Sequence, residues 1–136
     1  MISRTTTAAL LGTALAAATI VVASPAMAGD VPAPAHSQVG NWKTSTNGIP
    51  QTLTFTKDGK VYGDSGCNRF TGGYTVKGDA ITIGPLASTL MACPDPQMKA
   101  EATFLGKLQK SNHWKADSAK LRLYHGSTLT LKLTSA

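Results

Sequence analysis

Only two cysteines, three histidines and seven carboxylates occur in this chain of 136 residues. That scarcity closes off several chemistries. A zinc site needs four ligands, or three and a water, drawn from Cys, His, Asp and Glu. Cys67 and Cys93 stand far apart, and His36, His113 and His125 are scattered, so no ligand spacing exists. The carboxylates, among them Asp64, Asp79, Asp95, Glu101 and Asp117, form no close pair in sequence for glycosidase acid/base work. No phosphate-cradling glycine loop precedes a helix. The cations give a formal net charge of +6, yet they make no run and do not interleave with aromatics. The basic stripe of a nucleic-acid binder is therefore missing. There is no long internal repeat. No metal, cofactor or nucleic-acid partner is expected.

Long hydrophobic runs are also scarce: there is one, from Ala8 to Val22. It is shorter than the roughly 20 residues of a spanning helix. A polar start carrying Arg4 precedes it, and "SPAMA" with small residues at Ala26 and Ala28 follows. These are the three parts of a secretory signal peptide, expected to occupy 1–28 and to be cleaved after Ala28. The alternative is an uncleaved anchor. No cysteine stands near the cleavage site to carry a lipid. The expected product is exported and soluble, a monomer without stable membrane insertion. Residues 29–38, "GDVPAPAHSQ", are rich in proline and small polar residues and read as a flexible tail. One domain is expected over 39–134.

The domain has a β texture. "LTFT" at Leu53 to Thr56, "YTV" at Tyr74 to Val76, "ITI" at Ile81 to Ile83, "LRL" at Leu121 to Leu123 and "LTLKL" at Leu129 to Leu133 alternate. Period two places the apolar side chains on one face and threonine and lysine on the other. Asp58-Gly59 sits between two such runs as a hairpin signal, and Lys77-Gly78-Asp79 and His125-Gly126-Ser127 can close two more. Gly40-Asn41-Trp42 opens the first strand, with Trp42 expected in the core. Short, evenly spaced strands favour a meander, sandwich or barrel. One segment departs from this. Over about 96–110, Met98, Ala102, Leu105 and Leu108 follow at helical steps and predict one buried helix face. Asp95 is placed to cap that helix, Pro96 to sit in its first turn, and Asn112 to stop it.

"GDSG" at Gly63 to Gly66 invites comparison with the nucleophile stretch of chymotrypsin-like proteases. Such a serine needs a histidine base and an orienting carboxylate, both earlier in the chain in that order. Only His36 precedes Ser65, and the chain is too short for two barrels. Ser65 is read as an ordinary strand residue, and no catalytic residue is assigned. Two cysteines in an exported chain most simply form one disulfide, Cys67–Cys93; two free thiols are the alternative. The glycines around Cys67 suit bends or bulges.

The segments "LTFTKDGKVYGDSGCNRFTGGY", "ITIGPLASTLMACPDPQMKAEATFLGKL" and "LRLYHGSTLTL" resemble the META domain family, that of the heat-shock-induced HslJ-like proteins. The resemblance rests on GCN-x-F-x-G-x-Y (Gly66, Cys67, Asn68, Phe70, Gly72, Tyr74), with Arg69 inside it. A second element is T-x-M-x-C-P (Thr89, Met91, Cys93, Pro94), followed by Glu101 in the helix. It implies a mainly β (α+β) fold, a small antiparallel half-barrel or cracked barrel with one helix inserted after the second cysteine. It implies no established catalytic activity, and an envelope or secreted setting linked to stress or drug tolerance. Many members carry a lipidation cysteine, which this chain lacks; Lys43 and Thr44 follow Trp42 where the family usually has Trp-x-Leu. The expected function is a non-enzymatic binding or envelope/stress-response module, its partner an unknown protein or a small apolar ligand. Alternatives are an apolar-ligand carrier, a protein-binding inhibitor or secretion-assisting module, and a small serine hydrolase using Ser65.

Overall fold

The computed structural model describes residues 36–136. The signal peptide expected over 1–28, the cleavage expected after Ala28 and the expected tail up to residue 35 lie outside the described residues. Eight strands and one helix follow in chain order. The strands before the helix are β1 (Gly40–Thr46), β2 (Ile49–Phe55), β3 (Lys60–Asp64), β4 (Arg69–Lys77) and β5 (Ala80–Ser88). The helix α1 (Asp95–Lys110) precedes β6 (His113–Ala116), β7 (Lys120–His125) and β8 (Thr128–Ser135).

Each strand pairs antiparallel with the next, and β8 returns to β1 through Trp42 opposite Ser135 and Lys43 opposite Thr134. The result is a mostly antiparallel ring of eight strands with one helix. Its stitching is uneven. β1 and β2 pair over seven positions, from Gly40 opposite Phe55 to Thr46 opposite Ile49. β5 and β6 share a single pair, Ala80 opposite His113. The crack expected of this fold therefore lies where α1 interrupts the chain. The helix packs against β5, β8, β1 and β2.

Alternation decides what points inward. Gln51, Leu53 and Phe55 of β2, Leu121 and Leu123 of β7, and Leu131 and Leu133 of β8 are buried. The Asp58-Gly59 turn forms where expected, with Gly59 at φ +86°, a conformation that costs glycine nothing. Trp42 is in the core, and its Nε1 donates to the Gln38 carbonyl at 2.8 Å. Trp114 does likewise to the Gly78 carbonyl at 3.0 Å, so neither indole is buried unpaired.

Two expectations about faces are corrected. Leu129 does not share the inner face with Leu131 and Leu133; it is 47% exposed. The β7–β8 register shifts between Leu123 and Tyr124, and a one-residue shift moves a side chain to the other face. Val76, opposite buried Ile81, keeps the inner-face phase but is 36% exposed at the end of β4. The buried face of α1 is Ala100, Glu101, Phe104 and Leu108, whereas Met98 and Ala102 are exposed and Leu105 half-buried. Phe104 and Leu108 join the strand core, and the Phe104 ring lies 5.7 Å from that of Phe70.

The helix ends also differ from expectation. Pro94 occupies the N-cap with no side-chain bond, and Asp95 is the first helical residue. There its carboxylate still faces the positive end of the helix dipole. Ser111, not Asn112, caps the C-terminus in an extended conformation.

Candidate functional site

The corner between β3 and β4 is Ser65-Gly66-Cys67-Asn68. The Asp64 carboxylate accepts from Gly66 N at 2.8 Å, and Ser65 N donates to the Asn68 carbonyl at 2.9 Å. Gly66 has φ +109°, and a Cβ there would lie 2.9 Å from Ile49 Cγ2. The corner can thus lie flat on β2 only because residue 66 is glycine. Cys67 is joined to Cys93 by a disulfide, Cα to Cα 6.0 Å, which ties the corner to the segment entering α1.

Asn68 is the hub. Its Oδ1 accepts from Met91 N at 2.6 Å and from Thr89 Oγ1 at 2.9 Å. Its Nδ2 donates to the Met91 carbonyl at 3.2 Å and to Glu101 Oε2 at 3.0 Å. The side-chain amide therefore pairs with Met91 as a strand's backbone would, holding the 89–93 segment where no strand runs. Arg69 N donates to Thr89 Oγ1 at 3.1 Å, and its carbonyl accepts from Thr89 N at 3.0 Å.

Glu101 reaches this corner from α1. Its Oε1 accepts from Ser65 Oγ at 2.5 Å and from Asn68 N at 2.9 Å. Burial pushes its carboxyl pKa up, but the bonds from Ser65 and from the Asn68 side chain and backbone outweigh that and hold it below its ordinary value. Gln51, which sequence reasoning missed, supports the same junction. Its Nε2 donates to the Ser65 carbonyl at 2.8 Å and to the Ala100 carbonyl at 3.0 Å.

Ser65 is therefore not the ordinary strand residue expected. It lies just beyond β3 and is fully buried. Its Oγ bonds the Asn68 carbonyl at 2.7 Å and Glu101. No histidine bonds it. His113 Nδ1 lies 2.7 Å from Asn112 Oδ1 and His125 Nδ1 lies 2.8 Å from the Lys110 carbonyl. Among the described residues no group of three or more His, Cys, Asp or Glu could hold a metal.

The remaining motif residues serve β4 and its neighbours. Phe70 and Tyr74 point inward; the Tyr74 hydroxyl donates to the Thr56 carbonyl at 2.5 Å, and its ring meets Phe55 edge-on at 4.7 Å. A Cβ on Gly72 would come 2.7 Å from Leu86 Cδ2. Pro94 begins the helix, and Met91 keeps its side chain 57% exposed beside Leu90, which is 95% exposed. On the outer face of the sheet, Pro50, Thr52, Tyr62, Gly63, Asp64, Gly66 and Arg69 line a groove of about 560 Å³. Of these, only Gly66 and Arg69 were singled out from sequence. The exposed phase of Tyr62, one residue after inward Val61, was the available signal.

An antiparallel ring with one inserted helix, locked at a GCN corner by a disulfide and a buried glutamate, defines a class of small β-rich domains. The chain belongs to the META domain family, whose model matches residues 36–136. Among solved structures, it is similar to a protein from Burkholderia xenovorans determined by NMR: 25% identity, TM-score 0.56, covering 70% of this chain and 79% of that one. It is also similar to a DUF4847 family protein from Bacteroides vulgatus, at 19% identity and TM-score 0.50, covering 62% of this chain and 57% of that one. The second likeness concerns the fold alone. No curated protein matches the sequence.

Proposed function

We propose that this chain is an exported, non-catalytic module that acts by binding, in the envelope or outside the cell, in a stress-response setting. The observation that carries the reading is the fate of the motif's polar atoms. Ser65, Asn68 and Glu101 are buried and bonded to one another. They hold a corner together: the Ser65 hydroxyl is fully buried and spent on the Asn68 carbonyl and the Glu101 carboxylate, out of reach of a substrate. The disulfide fits an oxidising compartment. No helix among the described residues is long and apolar enough to cross a membrane. Trp42, Phe55, Tyr74 and Phe104 fill the ring, which favours a ligand on the outer surface over an apolar one carried inside.

A protein-binding version, inhibitor or secretion-assisting module, is favoured by Leu90 and Met91, apolar side chains held exposed beside the disulfide. The test uses the exported protein and its Ser65→Ala variant, assayed against ester and peptide substrates and used as bait on the secreted fraction. The proposal expects no turnover that depends on Ser65 and the same captured partner for both. Turnover abolished by Ser65→Ala overturns it.

A further inference from the structure

Thr52, Asp64 and Arg69 form one row across three strands. Thr52 is opposite Asp64 in the β2–β3 register, and Asp64 is opposite Arg69 in the β3–β4 register. All three side chains face outward, as does Tyr62, 46% exposed and two residues before Asp64. Two residues along a strand is about 7 Å. Row and ring together line the groove described above.

The polar atoms here are left open. Asp64 and Arg69 are direct cross-strand neighbours, yet the ion pairs among the described residues are Lys60–Asp58 and Arg122–Asp117. The Arg69 guanidinium and the Tyr62 hydroxyl make no hydrogen bond among the described residues. Asp64 uses Oδ1 for Gly66 N and keeps Oδ2 free. Thr52 Oγ1 accepts from Asp64 N and retains its proton to donate. A carboxylate and a guanidinium held apart beside an aromatic face offer acceptors, donors and one flat apolar surface in a single groove. Its volume falls in the roughly 300–1,000 Å³ range of small-molecule sites.

The chemistry of the lining selects the ligand. Pro50 is the one aliphatic side chain, so a lipid tail finds little to cover it. Asp64 opposes a phosphate approaching Arg69. A neutral polyhydroxylated ring satisfies every group: its C–H face lies on Tyr62 while its hydroxyls donate to Asp64 and accept from Arg69 and Thr52. We propose that this groove binds a neutral hexopyranose unit of an extracellular glycan, with Tyr62 as the platform and Asp64, Arg69 and Thr52 as its polar contacts. The proposal rests on the binding-module reading and gives it a ligand class.

The test is an NMR titration of the ¹⁵N-labelled exported domain with cellotetraose, chitotetraose and maltotetraose. At least one should shift the amides of Tyr62, Gly63, Asp64 and Arg69, with a Kd in the millimolar range or tighter. Arg69→Ala should weaken it by about tenfold or more, the loss expected for a charge-assisted bond, and Tyr62→Ala by about tenfold through the lost stacking face. Thermal unfolding should stay unchanged, because both side chains are exposed. No groove shift with any of the three, or equal shifts in Tyr62→Ala, overturns the assignment. Failure of the sugars while the bait still captures a partner leaves the binding module standing without this ligand. Turnover dependent on Ser65 removes the module reading whatever the titration shows.

Discussion

Asn68 holds both oxygens of the Glu101 carboxylate, with its backbone N–H on Oε1 at 2.9 Å and its side-chain Nδ2 on Oε2 at 3.0 Å. No lysine or arginine forms an ion pair with Glu101 among the described residues. A buried carboxylate is therefore kept charged by neutral donors, two from Asn68 and one from Ser65. Glu101→Gln has nearly the same shape but the wrong chemistry. In either amide orientation its Nε2 meets an N–H of Asn68, donor against donor. The variant should lose about 2–3 kcal/mol. Urea denaturation checks this: the midpoint should fall with the slope unchanged. A midpoint equal to the wild type would show that the carboxylate contributes nothing.

The same carboxylate makes stability depend on acidity. Its pKa is lower folded than unfolded, so its contribution is fully present above the unfolded value of about 4.3 and is lost as pH falls through the folded value. Protonation also adds a donor where three donors already point. Stability should be level from neutral pH down to roughly pH 5 and fall below it. Asp58 and Asp117, whose pKa values are also lowered, add exposed contributions in the same direction. Glu101→Gln should flatten part of the slope, whereas Asp58→Asn should change it little. Unfolding free energies across acid pH decide this. An equal slope for Glu101→Gln and wild type would place the acid sensitivity elsewhere.

How far the sequence reached follows from the range of each interaction. The Asp58-Gly59 turn and the extent of α1 up to Lys110 are encoded within a few residues and form as read, although Ser111 rather than Asn112 caps the helix. The helix face is set by distant residues, and there the reading erred. Met98, Ala102 and Leu105 are the apolar choices, but the corner at Ser65–Asn68 draws Glu101 inward and rotates Met98 and Ala102 out. No periodicity rewards a buried glutamate. β6 and Gln51 escaped notice for related reasons. A four-residue strand shows little alternation, and a glutamine reads as surface until its two carbonyl partners are known. The motif marked the corner at Gly66 to Asn68, while the outer groove, built across three strands, had no local signature.

The Cys67–Cys93 bond closes a loop with a sequence separation of 26. By the chain-entropy model, that is worth about 3–4 kcal/mol. The Asn68–Met91 bonds and the Glu101 clamp cross the same gap without it. The double variant Cys67→Ser with Cys93→Ser should therefore fold, with a lower denaturation midpoint. Intact mass of the exported protein should rise by two hydrogens on reduction. No mass change would mean free thiols, and an unfolded double variant would mean that the hydrogen bonds cannot hold the corner alone.

Three glycines should respond to alanine in three different ways. Gly106 lies on the exposed side of α1, and a Cβ there meets nothing within 4 Å. Alanine should stabilise it by about 1 kcal/mol through helix propensity alone. Gly78 is equally open but sits at φ +62°, so alanine should cost about 1–2 kcal/mol in left-handed backbone strain. Gly63 faces Leu53 across the β2–β3 pair, and its Cβ would lie 2.0 Å from the Thr52 carbonyl oxygen. Backbone cannot step aside as a side chain can, so Gly63→Ala should cost about 3 kcal/mol or more. Thermal unfolding should order the variants as Gly106→Ala above wild type, Gly78→Ala below it, and Gly63→Ala lowest. A Gly63→Ala protein as stable as wild type would mean that β2 and β3 do not approach this closely, and the floor of the outer groove would need redrawing.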